Sequence, residues 1–351
     1  RAAIEGENRF ARRRTSGTQN GFLLAGRRKA AGTRFAGTGQ ISLRKRTASV
    51  QDLERRFPTP SKGAATSGMD NFVLVTDSTS DLAPDMIRRY GIRVVPLKVV
   101  FGQEVLDDGV NCDAALVFRK VEETGTLPTT SAASPGDFAK LFGELAEEGK
   151  KALYIGLSAE FSSTLQSAKI AAAELPEGTV EIVDSRNLST GIGILVMQAA
   201  RLREKGKSLQ ETAEAIRAMT DRVRTAFVIE TLEYLYKGGR LSALSHMVGS
   251  MLKIRPLVKV VDGRMIVGEK IRGSVEKGYQ IMLERVLADR ERIDPELMFV
   301  THAGAPEAAG MLKAKLEAEM PGANVAVTEA GSVIASHCGP GTAGIICMMK
   351  D

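Results

Sequence analysis

Only three histidines occur in the 351 residues, and one of them lies in Ser336-His337-Cys338-Gly339-Pro340-Gly341-Thr342, a run of small residues where a backbone can approach a ligand closely. A second run of this kind, Gly238-Gly239-Arg240-Leu241-Ser242, sets a guanidinium directly after two glycines. Hydroxyl-rich turns recur at 76–80, 129–134 and 158–164. Imidazole, guanidinium, hydroxyls and free backbone N–H groups together are the donors that hold a small anionic group. Each also has a plainer explanation. Ser and Thr at such positions cap helices, Gly238-Gly239 can end a helix and leave Arg240 solvated, and His337 can be a satisfied loop histidine. Asp77 is a candidate metal ligand or phospho-acceptor without a second acidic pair at ligand spacing, and Asp107-Asp108 reads as a solvated turn. No G-x-S-x-G elbow or P-loop occurs, and nucleotide binding is not expected.

These groups need a scaffold, and the apolar pattern supplies one from Met69 onward. Strands are expected at Phe72–Thr76, Ile92–Phe101, Ala152–Leu157, Val180–Asp184, Thr225–Glu230, Leu297–His302, Val325–Glu329 and Val333–Ala335. Helices are expected at Pro84–Tyr90 before Gly91, from Asn111 to Thr124, after Ser134-Pro135-Gly136-Asp137, from Ser162 or Ser163 to Ala173, and over Leu188–Lys205, Leu209–Thr220, Leu232–Lys237, Ser274–Ala288 and Pro306–Glu319. Asp262-Gly263 between Leu257–Val261 and Met265–Glu269 is a hairpin signal. The alternation implies α/β layers and the hairpin a mixed sheet in the second half; the length leaves room for two domains, expected at 69–225 and 226–351. In such sheets ligands gather at the carboxyl ends of strands, where these turns lie.

Composition narrows the function classes. With 43% hydrophobic and 26% charged residues and no apolar run of eighteen, no membrane span is expected, transient membrane contact being left open. Cys112, Cys338 and Cys347 show no disulfide or zinc spacing, and no secretory segment is visible, which favours a reducing, cytoplasmic location. The net charge of +6 is uneven: residues 1–68 hold 15 Lys/Arg and 4 Asp/Glu, a net of +11, so the remainder carries −5. That first segment has no Met and no sustained periodicity, and is read as a disordered basic extension ahead of a start at Met69. The alternative is a basic arm for nucleic acid or membrane. Arg12-Arg13-Arg14 lacks interleaved aromatics, so no nucleic-acid partner is expected.

Residues 72–351 resemble the DegV family, the fatty-acid-binding proteins that act as B subunits of bacterial fatty acid kinase. The resemblance rests on short segments in order: Val75-Thr76-Asp77-Ser78-Thr79-Ser80-Asp81-Leu82, Pro96-Leu97, Pro128-Thr129-Thr130-Ser131, Leu157-Ser158 to Ser162-Ser163-Thr164, and Val183-Asp184-Ser185. It continues through Leu235-Tyr236-Lys237-Gly238-Gly239-Arg240-Leu241-Ser242, Leu252-Lys253-Ile254-Arg255-Pro256, Glu269-Lys270-Ile271-Arg272 and His337-Cys338-Gly339-Pro340-Gly341-Thr342. It implies two α/β domains with a lipid-binding tunnel between them and a long-chain fatty acid as ligand, with neither cofactor nor metal. It further implies a carrier without catalysis of its own, which presents the carboxylate to a separate ATP-dependent fatty acid kinase subunit for acyl-phosphate formation. The implied carboxylate site is Thr130, Ser131, Ser158, Ala159, Ser162 and His337, with Asp77, Ser78, Arg240 and Arg272 nearby or facing the partner. One departure stands out: the family commonly shows Ser-Ser-x-x-Ser-Gly-Thr, whereas here Ala159 replaces the second serine and Ser163 the glycine. Glu160 in that turn would repel an anion if it pointed inward. The alternative is a hydrolase or phosphotransferase for an acyl or phosphorylated small molecule, its site drawn from Asp77, Thr130, Ser158 and His337.

Overall fold

Short apolar strands alternating with capped helices build the molecule. The computed structural model describes residues 72–240 and 254–351; the basic segment 1–68 lies outside the described residues. The first half runs β1 (Phe72–Asp77), α1 (Pro84–Tyr90), β2 (Arg93–Val95), β3 (Lys98–Phe101), β4 (Glu104–Asp107), α2 (Ala114–Thr124), β5 (Thr129–Ser131), α3 (Pro135–Glu147), β6 (Lys151–Gly156), α4 (Thr164–Ala172), β7 (Val180–Asp184), α5 (Thr190–Glu204) and α6 (Leu209–Met219). The second half continues with β8 (Val223–Val228), α7 (Glu233–Lys237), β9 (Ile254–Val261), β10 (Arg264–Arg272), α8 (Val275–Ala288), β11 (Met298–Ala303), α9 (Pro306–Glu319), β12 (Val325–Glu329), α10 (Ser332–Cys338) and β13 (Thr342–Met348).

The described residues form three sheets: a parallel β2-β1-β6-β7, a small antiparallel β4-β3-β5, and a mixed β10-β9-β8-β13-β11-β12 in which only β11 and β12 run parallel. The boundary expected at 225/226 falls inside β8. That strand pairs with both β13 and β9, so all of it belongs to the mixed sheet. One face of this sheet packs on α8 and α9 through Val300, Ile345, Met282, Leu312 and Leu316. The other face, carrying Phe227, Val258, Val260, Met265 and Ala303, turns toward α10 and the first half of the chain. Helix α5 is apolar nearly all round, and its buried Ile192, Ile194, Leu195, Val196 and Met197 join the parallel and mixed sheets.

Local chemistry accounts for the element boundaries. Ser134 and Asp137 form a reciprocal capping box on α3, as Ser208 and Glu211 do on α6. Asp262 and Gly263 both have positive φ, 50° and 78°, which suits the tight β9–β10 turn. Other expectations are corrected. The run Ile92–Phe101 splits into β2 and β3 around Pro96-Leu97, where Leu97 N donates to Ser78 Oγ at 3.0 Å instead of to a strand. Helix α2 is capped by Asp113, which accepts from Leu116 N at 2.7 Å, while Asn111 Oδ1 accepts from Asp107 N. Asp107-Asp108 is not a solvated turn: Asp107 pairs with Lys98, and the buried Asp108 accepts from Ser332 N and Oγ at 2.6 and 2.7 Å.

The largest correction concerns the last thirty residues. Val333–Ala335, expected as a strand, lies in α10, because carboxylates from two loops take up the N–H groups that open a helix there. Asp81 Oδ1 accepts from Gly331 N at 2.8 Å, and Asp108 holds Ser332. His337, expected in a turn, therefore sits in the last turn of a helix, just before the Pro/Gly run. The strand that follows, β13, has no counterpart among the elements expected from the sequence. Every residue from Thr342 to Met348 is buried between β8 and β11.

Candidate functional site

The inner face of the mixed sheet and the loops of the first half line a deep cavity that opens to solvent. Leu97, Leu157, Phe161, Leu188, Met265 and Ile346 give it a largely apolar lining. Its polar end is built by three elements. Strand β5 pairs with β3 and holds Thr130 opposite Val99. Helix α10 supplies His337, and the segment after α7 supplies Arg240. Thr130 Oγ1 and His337 Nε2 lie 2.7 Å apart, joining residues 207 positions distant in the chain. Arg240 Nη1 donates to the Gly238 carbonyl at 3.0 Å, which leaves its charge on the cavity wall.

Gly238 is what lets the imidazole lie there. A Cβ at that position would fall 2.4 Å from His337 Nδ1, closer than side chains pack. Nδ1 is buried and, among the described residues, has no hydrogen-bond partner. Burial, helped by the positive charge of Arg240, pushes the His337 pKa down to about 4. The imidazole is therefore neutral at physiological pH, and Nε2–H can donate to Thr130 while the threonine O–H turns into the cavity.

The depressed pKa has a sign that can be checked. The unfolded histidine takes up a proton near pH 6.5 and the folded one only near 4, so stability present above 6.5 is lost as pH falls between those values. The span corresponds to about 3 kcal/mol at 1.36 kcal/mol per pKa unit. We expect urea denaturation at pH 7 and pH 4.5 to show a smaller acid loss for His337→Gln than for the wild type; equal losses would exclude a buried neutral His337.

The structure gathers five of the residues picked out in the sequence, Thr130, Ser131, Ser162, Arg240 and His337, on the cavity wall. The others lie elsewhere. Ser158 Oγ donates to the Gly263 carbonyl at 3.0 Å, so its turn clasps the tip of the β9–β10 hairpin. Glu160 pairs with Arg264 at 2.8 Å in the same clasp, which directs its charge away from the cavity. Ala159 contributes only a backbone N–H, bonded to Asp184 at 3.3 Å. Ser78 accepts from Leu97 N, and Arg272 is exposed at the end of β10. Asp77 is fully buried and accepts from Thr79 N, Thr79 Oγ1, Tyr154 Oη and Leu157 N. Burial pushes its carboxyl upward while these bonds oppose the shift. All four contacts are donors, so the group sits there as a carboxylate with a structural task.

Lining residues that the sequence reading missed include Ser189, Thr225, Thr301 and His302. Thr225 and Thr301 sit on β8 and β11, and their only signal was strand alternation on an unrecognised inner face. Among the described residues, no cluster of His, Cys, Asp or Glu could hold a metal ion, and no helix is long and apolar enough to cross a membrane.

Two α/β domains around an apolar cavity with one polar end define a lipid-binding architecture. The family model described as "Uncharacterised protein, DegV family" matches residues 71–350. A DegV domain-containing protein of Caldanaerobacter subterraneus is 32% identical over 283 residues, covering 79% of this chain and 98% of its own. Among solved structures, a fatty-acid-binding DegV family protein from Thermus thermophilus superposes with a TM-score of 0.74 at 35% identity, covering 80% of this chain and all of that one. DegV from Bacillus subtilis, described as a fatty acid binding protein, gives 0.71 at 28% identity over 80% of this chain and all of its own. The chain belongs to the DegV family.

Proposed function

We propose that this protein binds one long-chain fatty acid and holds its carboxylate at the polar end of the cavity. The observation that carries this is the Thr130–His337 pair with Arg240 beside it, at one end of a largely apolar cavity. A buried carboxylate needs several donors at once; Thr130 O–H and Arg240 provide them, with the Ser131 and Ser162 hydroxyls on the same wall. Each buried methylene contributes roughly 0.8 kcal/mol, so the apolar wall supplies most of the affinity and the polar end sets orientation. The fatty-acid binding described for the Thermus thermophilus and Bacillus subtilis proteins supports the same ligand class here.

A carrier fits the site better than a hydrolase. Ser158 is engaged by Gly263, and Asp77 is locked by four donors, so neither forms a nucleophile–base pair. Thr130 and His337 do touch, but His337 Nδ1 meets no orienting carboxylate among the described residues. The function extends to presenting the carboxylate to a separate ATP-dependent kinase subunit, in a cytoplasmic setting that suits three buried free cysteines. Exposed Arg272 is assigned to docking that subunit.

Mass spectrometry of lipid extracted from the purified protein tests the ligand: a stoichiometric fatty acid is expected, and a protein that is empty and takes up no added fatty acid would defeat the proposal. Two variants separate the roles. Thr130→Ala removes a hydrogen bond to a charged group and is expected to weaken fatty-acid binding about tenfold or more by calorimetry. Arg272→Ala should leave that affinity unchanged and slow acyl-phosphate formation with the kinase subunit. Unchanged affinity in the first, or parallel losses in the second, would reject the respective assignment.

A further inference from the structure

Beyond the polar end, the cavity floor carries hydroxyls whose protons are not all accounted for. Thr301 on β11 lines the cavity, and its Oγ1 lies 2.6 Å from Thr190 Oγ1 and 2.9 Å from Thr328 Oγ1. All three side chains are buried. Three hydroxyls bring three protons, and two mutual bonds use two of them. Among the described residues none of the three makes another hydrogen bond, so one O–H is left without an acceptor. Leaving a buried donor unmade is unfavourable, and of the three only Thr301 faces the cavity. The arrangement that satisfies the others has Thr190 and Thr328 donating to Thr301, whose own proton then points at the ligand.

The neighbours have complementary chemistry. Thr342 Oγ1 donates to the Cys338 carbonyl at 2.9 Å, and Thr225 Oγ1 donates to Asn187 Oδ1 at 2.8 Å. Their protons are committed, and what they can offer the cavity is lone pairs. Gly344 stands directly opposite Thr301 in the ladder and adds no side chain to cover it. Along the floor, Thr342 pairs with Ala303 next to the end of α10, Gly344 with Thr301, and Ile346 with Phe299 and Thr225. Each of these steps is about 7 Å, two residues of an antiparallel strand. Thr301 therefore flanks the interior of a bound chain, with cavity continuing on both sides.

From this placement we propose that the cavity selects an acyl chain bearing a hydroxyl in its interior. That oxygen would accept from Thr301 and donate to a lone pair of Thr342, its diagonal neighbour across the β11–β13 ladder. The inference rests on the fatty-acid function proposed above and specifies its substrate class. A site built to hydrogen-bond a ligand hydroxyl discriminates against the analogue that lacks it, because its own polar group is then left unpaired.

The test is calorimetric titration of the full chain with octadecanoic acid and with its 3-, 10- and 12-hydroxy derivatives, repeated with Thr301→Val and Thr301→Ser. At least one hydroxy acid is expected to bind about tenfold more tightly than octadecanoic acid, the size of one net buried hydrogen bond. The preference should vanish in Thr301→Val and persist in Thr301→Ser, which keeps the hydroxyl. If the valine variant does not fold, the wild-type series and the serine variant decide. Octadecanoic acid binding as tightly as every hydroxy acid would overturn this inference while leaving the carrier function standing. Failure of all four acids to bind would overturn both.

Discussion

Gly238→Ala should abolish most fatty-acid binding while the protein stays folded. The backbone at Gly238 is ordinary, φ −74° and ψ −1°, so alanine is conformationally acceptable there. The obstacle is spatial: the new methyl would lie 2.4 Å from His337 Nδ1 and 2.9 Å from its Cε1. The Tyr234 carbonyl, also 2.9 Å away, blocks the opposite escape. The imidazole must leave, and with it goes the bond that orients Thr130. Losing oriented donors to a carboxylate corresponds to roughly tenfold to a hundredfold in affinity. Calorimetry with octadecanoic acid, beside a thermal melt within a few degrees of wild type, is the check. Wild-type affinity in this variant would mean that His337 plays no part in orienting the carboxylate.

The second large effect is on stability. Asp77→Ala removes the acceptor of four buried donors, from Thr79, Tyr154 and Leu157, at the end of β1. Stranding them is expected to cost about 4 kcal/mol, comparable to removing one partner of a buried ion pair. Against a total stability of about 5–15 kcal/mol this is a large share, and the melting temperature should fall by roughly 10 °C. Asp77→Asn, which retains one acceptor oxygen, should fall between. Near-wild-type melting of Asp77→Ala would show that water replaces the carboxylate at little cost.

Much of the architecture was legible because local chemistry and global fold agree. Val180–Asp184 and Val325–Glu329 carry strand patterns, Pro84–Tyr90 and Pro306–Glu319 open on a proline at the first helical position, and all four lie where the sequence places them. Asp262-Gly263 announced its turn through the two residue types that tolerate positive φ. What stayed hidden depends on distant partners. Strand β13 is buried on both faces, so Thr342–Met348 shows no alternation to read. The β-branched pair Val333-Ile334 favours a strand, and only the carboxylates of Asp81 and Asp108, more than two hundred residues earlier, convert it to a helix start. The candidate site divides along the same line. Thr130, Arg240 and His337 were visible as residue types, but their convergence spans 207 residues between the first and last, and no spacing encodes that. Ser158 looked equivalent to Ser162, yet one hydroxyl bonds a hairpin carbonyl and the other lines the cavity.

The place of β13 in the mixed sheet also bears on the order in which the protein is made. Both its neighbours, β8 and β11, precede it in the chain, so during synthesis the sheet exists as two pieces, β10-β9-β8 and β11-β12, each with an open edge. Such edges invite wrong pairing while they wait. Only when Thr342–Met348 slides between them does the sheet become continuous, and that same strand brings Thr342, Gly344 and Ile346 to the cavity. The parallel sheet β2-β1-β6-β7 needs nothing from later in the chain to complete its ladder. The last strand thus completes the sheet and the cavity floor in one step, and the cavity takes its final form only when the end of the chain is in place.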